Sequence, residues 1–345
     1  MTSQKTYFFG FDYLRSAFSI FVVAWHNFIF GRPTYFHDYN INSFSPHIID
    51  IIYFNLFVLS IPVFLQVSLV LYIPNRQSGG REYFTRRMIR LVSLYFFWSG
   101  LTLLFRHFIL GLNIKSSFAT YPTVLNTIMS GARSPFYYLF SLIVVTSLTE
   151  LFIFFKSRTK YKNTLISVSF VLSLVVLMTS PHLFTRIGFG FSYWNPINFL
   201  PNVFAAFIMA DLLKNRNRTL TVSVLFSIYL LFSVLEWTCI EYYIWSPYWG
   251  YIVPPFSRIS LVLGAMFFVI MLGKVHRPSP RVISLVSSCS LGIYCFHSFI
   301  PTDQMWTILN VHPHPLGIVN CTIQLGGALI LTLLCRKIPL LKRFV

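Results

Sequence analysis

The chain has 345 residues, of which 55% are hydrophobic and only 10% charged, and its mean hydropathy is +0.66. Soluble domains carry about 25% charged residues, so this composition excludes a soluble globular protein and indicates an all-α polytopic membrane protein. The net charge of +18 would suit nucleic acid, but the cations fall in short clusters between apolar runs, the pattern in which membrane proteins record their orientation, and no nucleic-acid partner is expected.

The first apolar run, 13–31, carries Arg15 and His26 inside it. Eleven residues at 100° each bring both side chains to one helix face, roughly 16 Å apart along the axis. Asp12 lies one turn before Arg15. Ionisable groups inside a span are costly and point to function, and an imidazole suits general-base work. Two readings stand for Arg15, a ligand contact or an interfacial anchor whose head reaches the surface. No small-residue cleavage site follows this run, so it is expected to remain as a permanent span rather than a signal peptide.

Further runs follow at 48–73, 88–110, 135–155, 163–180, 196–213, 219–237, 254–273, 282–300 and 316–335. Each is near the length that crosses a bilayer, giving a bundle of about ten transmembrane helices. Of the 27 Lys and Arg, 20 fall in alternate connections, among them Arg76 to Arg90, Lys156 to Lys162, Lys274 to Arg281 and Arg336 to Arg343. By the positive-inside rule both termini are expected in the cytoplasm. The outer loops, 111–134 being the longest, leave no room for a separate domain, so residues 1–345 are read as one integral-membrane unit.

The third run opens with Glu82-Tyr-Phe-Thr-Arg86-Arg87-Met-Ile-Arg90 and continues to Tyr95. Arg87 with Arg90, or Arg86 with Arg90, are one turn apart and can converge on one ligand, and planar guanidinium forks suit phosphate. A plain anchor to anionic membrane lipids is an equal alternative. The ninth run holds Gly292-Ile-Tyr294-Cys-Phe-His297, in which Tyr294 and His297 share a face and His297 can serve as a second acid–base group. His312-Pro-His314 is poor support for a metal site, and none is expected. The five cysteines lack CxxC spacing and read as buried small side chains. Glu236 and Glu241, at an outer helix end, read as solvated, whereas Asp211 and Glu150 are placed to meet nearby cations.

These pieces, in this order, resemble the membrane-bound acyltransferase-3 family, whose members include O-acetyltransferases of bacterial surface polysaccharide. The family's first-helix motif is matched by Asp12-Tyr-Leu14-Arg15 through His26, its third-helix motif by Phe84-Thr-Arg86-Arg87-Met-Ile-Arg90 and Tyr95, and its late motif by Gly292-Ile293-Tyr294 to His297. Departures lie in the second helix, where Pro62-Val-Phe64-Leu-Gln66-Val-Ser68 keeps a displaced Ser and lacks the usual Gly. The third-helix Tyr is preceded by Ser93-Leu94 in place of the usual Pro. The fourth helix reads Phe136-Tyr137-Tyr138-Leu139 where Trp is common.

The resemblance implies transfer of an acyl group, usually acetyl from acetyl-CoA, to a hydroxyl of an envelope glycan or lipid-linked saccharide at a bacterial inner membrane. It implies that Arg86, Arg87, Arg90 and Arg15 meet the phosphates of acyl-CoA. His26 would act as general base or transient acyl carrier, with His297 and Tyr294 orienting the acceptor. The alternative of another class is a transporter or flippase of a lipid-linked saccharide that uses Arg15 and His26 as a substrate or proton path.

Overall fold

The computed structural model describes residues 8–31, 48–132, 135–186, 194–214, 219–237, 258–309 and 316–345. All regular elements among them are helical. Lys5, Arg32, Arg133, Arg216, Arg218, Cys239, Glu241 and the His312–His314 pair lie outside the described residues.

Helix α1 (Gly10–His26) is the hub of the bundle. Phe11, Leu14, Phe18 and Val22 form a buried stripe at helical spacing. Asp12 in the first turn suits the positive helix end, and its carboxylate accepts hydrogen bonds from Ser287 Oγ at 2.8 Å and Ser279 Oγ at 3.2 Å. The helix stops at His26, five residues before the end of the apolar run. The Asn27 side chain donates to Val23 O at 2.8 Å and to Gln324 Oε1 at 2.7 Å, and Phe28 turns into the left-handed region at φ 45°. His26 therefore occupies the last turn of α1 and not the middle of a longer span.

A short helical lead-in, Ile48–Ile51, widens into a π-helical turn, Ile52–Phe57, before α2 (Ser60–Phe108). The cationic stretch between the second and third apolar runs, expected as a connection, is helical on both sides of a single break at Gly80 (φ 62°, ψ −162°). Glycine adopts that conformation without steric cost, and the two limbs fold back on each other. Tyr72 and Tyr83 stack at 5.8 Å, and Arg87 reaches Ser68.

Helix α3 (Tyr121–Met129) lies within the stretch read as an outer loop; Thr120 and Thr123 cap it reciprocally and Pro122 sits in its first turn. The helices that follow are α4 (Tyr137–Arg158), α5 (Lys162–Arg186), α6 (Leu200–Leu212), α7 (Thr219–Leu235) and α8 (Ile259–Leu272). Next come α9 (Arg281–Ser288) and α10 (Ser290–Phe296), with a 55° bend where they meet. The last are α11 (Thr302–Ile308) and α12 (Gly317–Lys337). Among the described residues, four helical segments are long and apolar enough to cross a membrane, or five when the bent pair counts as one span. The apolar helices Pro196–Leu212, Thr219–Leu235 and Ile259–Leu272 are shorter.

Glu236 does not meet solvent as its position at a helix end suggested. It is 4% exposed and pairs with Arg258, which is 3% exposed, through Nε at 2.9 Å. Its carboxylate also accepts from the Ser260 amide at 2.9 Å and from Ser260 Oγ. Arg258 donates in turn to Phe54 O at 3.0 Å and to Asn55 Oδ1. Burial is tolerated because the charges neutralise each other and their remaining donors and acceptors are occupied. Glu150 and Asp211 do meet cations. Glu150 binds Arg76 and accepts from the Tyr72 hydroxyl at 2.8 Å, and Asp211 pairs with Lys214 at 3.1 Å on the surface.

Candidate active site

Gly292 allows the close contact on which the site depends. A Cβ there would lie 2.1 Å from Thr332 Oγ1, so its absence lets α10 lie directly against α12. The chain then passes from α10 into a short 3₁₀ turn, His297–Phe299, which sets the His297 ring beside that of His26. The two ring centroids are 5.1 Å apart and tilted by 36°.

The two imidazoles differ in environment. His297 is 2% exposed, and its Nδ1 lies 3.1 Å from the carbonyl of Ile293. A carbonyl only accepts, so Nδ1 carries the proton and Nε2 keeps its lone pair. That Nε2 is buried and has no hydrogen-bond partner among the described residues. His26, in contrast, is exposed. An exposed imidazole thus stands beside a buried one that keeps an unpartnered nitrogen.

Tyr294 is buried below this pair. Its ring lies 6.1 Å from His297, 5.3 Å from Tyr138 and 6.1 Å from Phe136, and its hydroxyl donates to the Pro135 carbonyl. This hydroxyl ties α10 to the start of α4, and the ring forms part of a wall leading from the histidines to Tyr138.

Arg15 and Arg87 are both within electrostatic reach of Tyr138. Arg87 is held from several sides. Its Nη2 donates to Ser68 Oγ at 2.7 Å, and its guanidinium lies 4.8 Å from the centre of the Tyr72 ring, a cation–π contact. Tyr72 is itself fixed through its hydroxyl to Glu150. The Nε of Arg87 is buried without a hydrogen-bond partner, and Arg15 forms no ion pair among the described residues.

The third-run arginines do not all point the same way. Arg87 faces the opposite limb of the α2 hairpin, while Arg86 and Arg90 are exposed and Arg86 pairs with Glu82 at 3.4 Å. Arg15 and His26 stand on one face of a helix unbroken between them, as their spacing requires. Residues that the sequence did not single out as site groups are Tyr72, which stacks on Arg87, and Tyr138, in the variant fourth-helix motif. Ser68, the displaced second-helix serine, binds Arg87. Gln324 carried no sequence signal; it joins α12 to Asn27 beside His26, and its amide donates to Ile300 O at 3.1 Å. Among the described residues no group of three His, Cys, Asp or Glu side chains is arranged to hold a metal ion.

Comparison with characterised proteins and with solved structures found no match. The family model for the acyltransferase-3 domain, described as an acyltransferase domain, matches residues 8–336. That span runs from the start of α1 to the last turn of α12 and contains both histidines, Arg15, Arg87, Tyr138 and Tyr294; the chain belongs to the acyltransferase-3 family.

Proposed function

We propose that the protein is a membrane O-acyltransferase that moves an acyl group, acetyl in the first instance, from acyl-CoA to a hydroxyl of an envelope glycan such as O-antigen or an exopolysaccharide. The observation that carries this reading is the paired His26 and His297 rings, with Tyr294 and Tyr138 beside them, Arg15 about 16 Å further down α1 and Arg87 on α2. A polyanionic donor with a long flexible arm fits such a layout. Arg15 and Arg87 hold phosphate, while Arg86 and Arg90 lend positive potential to the mouth.

In the reaction His26 takes the proton of the acceptor hydroxyl as its oxygen attacks the thioester carbonyl carbon. The C–O bond forms, the C–S bond breaks, and the leaving thiolate takes the proton back from the imidazolium to give free CoA-SH and the ester. His297 contributes an Nε2 lone pair that stabilises the imidazolium as it forms. The cation distribution supports ten spans with both termini in the cytoplasm, and the family resemblance is the ground for a bacterial inner membrane with the donor entering from the inside. Residues 1–345 then act as one catalytic unit whose acceptor is a glycan or a lipid-linked saccharide.

The test is mass spectrometry of envelope glycans from cells holding the intact protein, no protein, or His26→Ala. A base-labile acyl group present only with the intact protein is the expected result, and its mass identifies the donor. Glycans of unchanged mass but altered amount or location would instead support a flippase.

A further inference from the structure

Both histidines stand on weak local structure. His26 occupies the last turn of α1, where backbone carbonyls lack partners within the helix. His297 opens a three-residue 3₁₀ turn, whose hydrogen bonds have poorer geometry than those of an α-helix. Neither segment fixes the 5.1 Å between the ring centroids by itself. Both are laid against α12. A Cβ on Gly317 would lie 2.1 Å from Asn27 O and 2.6 Å from Phe28 O, so its absence lets the first turn of α12 rest directly on the end of α1. Further along the same helix, Thr332 takes the close contact with Gly292 that leads into the His297 turn.

Gln324 lies between these two contacts and hydrogen-bonds to both histidine-bearing segments. Its Oε1 accepts from Asn27 Nδ2 at 2.7 Å, one residue past His26. Its Nε2 donates to Ile300 O at 3.1 Å and to Thr302 Oγ1 at 3.3 Å, just past the His297 turn. The other hydrogen of Asn27 Nδ2 goes to Val23 O at 2.8 Å, so all four amide hydrogens are placed. Val23 O and Ile300 O can only accept, and neither amide can be reversed without facing one acceptor with another. The Ile300 amide donates in turn to His297 O at 3.3 Å. A continuous path thus runs from His26 through Asn27, Gln324 and Ile300 to His297.

We infer that Gln324 is a positioning residue of the reaction: it holds the two histidine-bearing segments in one register and so sets the separation of the His26 and His297 rings. The inference rests on the acyltransferase reading above, in which His297 acts on His26. The role needs a side chain of this length that accepts on one side and donates on the other. A carboxylate would turn a second acceptor toward Ile300 O, and a hydrocarbon of similar size would supply neither bond.

Transfer of label from acetyl-CoA to envelope glycan in isolated membranes, with the full chain at matched amounts, tests the inference. Gln324→Leu is expected to lower kcat by about 30-fold, within the roughly 10²-fold that misplacement by about 1 Å can cost, while KM for acetyl-CoA stays within about twofold. In a His297→Ala background the same substitution is expected to change kcat by less than about threefold, because the ring it positions is already gone. Gln324→Glu keeps the size and the bond from Asn27; it covers the case in which the leucine variant does not accumulate, and should give the same pair of results. An equal loss of kcat with and without His297 would make Gln324 a merely structural residue and overturn the inference. Full activity of both Gln324 variants would also overturn it. Wild-type membranes that transfer no label would instead remove the acetyl-CoA reading on which it stands.

Discussion

The Arg258–Glu236 cluster and the Arg15–Arg87 pair both set guanidinium groups among apolar helices, but they are built to opposite rules. Arg258 has a carboxylate partner, a backbone carbonyl and a side-chain amide, and Glu236 is satisfied by Arg258 and Ser260. The Trp237 indole adds a hydrogen bond to Asn55 Oδ1 at 3.2 Å, and the Tyr229 hydroxyl one to Asn55 O at 2.9 Å. This cluster offers a ligand nothing; it fastens the π-helical turn before α2 to α7 and α8. Arg15 and Arg87 meet no carboxylate among the described residues, and Arg87 leaves a donor bare. Buried polar groups that remain unmatched are costly, so a fold that retains them invites an anionic occupant. The contrast shows that burial of charge alone does not mark a site, whereas burial with leftover hydrogen-bonding capacity does.

His297, with its buried and unpartnered Nε2, belongs to the second kind, and the largest effect is expected at the His26 ring beside it. His26→Ala should lower kcat by about 10³-fold, within the range for loss of a general base, while calorimetric binding of CoA stays within twofold. Loss of CoA binding in step with turnover would merge the histidines with the phosphate end and break the comparison.

At the satisfied cluster the effect should appear in stability instead. Glu236→Ala leaves Arg258 buried without its partner, for which the expected cost is about 3–5 kcal/mol. Thermal unfolding in detergent measures it, and the folded fraction should retain wild-type affinity for CoA. A large change in affinity at unchanged stability would show that the cluster touches ligand after all.

Arg87→Ala is expected to raise KM for acyl-CoA by roughly 30-fold with a much smaller effect on kcat, as for a charge-assisted contact used equally in ground and transition states. Arg86→Ala, on an exposed side chain already paired with Glu82, should change KM by less than about threefold, as for other exposed ion pairs. Equal effects of the two substitutions would erase the distinction between inward and outward arginines. A smaller change than that of Arg87→Ala is expected from Tyr72→Leu, which removes the ring beneath Arg87 and the hydroxyl bond to Glu150. A loss of about 0.5–2 kcal/mol in donor affinity is expected from the cation–π contact, and a double-mutant cycle with Arg87→Ala should show the two substitutions to be non-additive.

Much of the site was readable before folding was considered. The eleven-residue spacing of Arg15 and His26 fixes their common face because helix geometry is local, and α1 is helical across that interval. The motif from Gly292 to His297 was also legible, although the reason for its glycine, contact with Thr332, was not. Other features were misplaced because their causes are distant in sequence. Glu236 looked solvated because the residue that neutralises it lies 22 positions away, beyond a segment whose path the sequence does not state. The end of α1 was placed five residues late, and at the observed end Asn27 binds Gln324, 297 positions away.

By itself, then, the sequence determined the helical and membrane character, the shared face of Arg15 and His26, and the motifs of the family. Hydrophobic length and helical period are properties of neighbouring residues. The tertiary structure decided which of the three third-run arginines turns inward and which imidazole stands beside His26. These are outcomes of packing among helices far apart in the chain. A helix wheel gives the angles between Arg86, Arg87 and Arg90, but only the opposing limb at Gly80 and the helices around it define which of those angles faces inward.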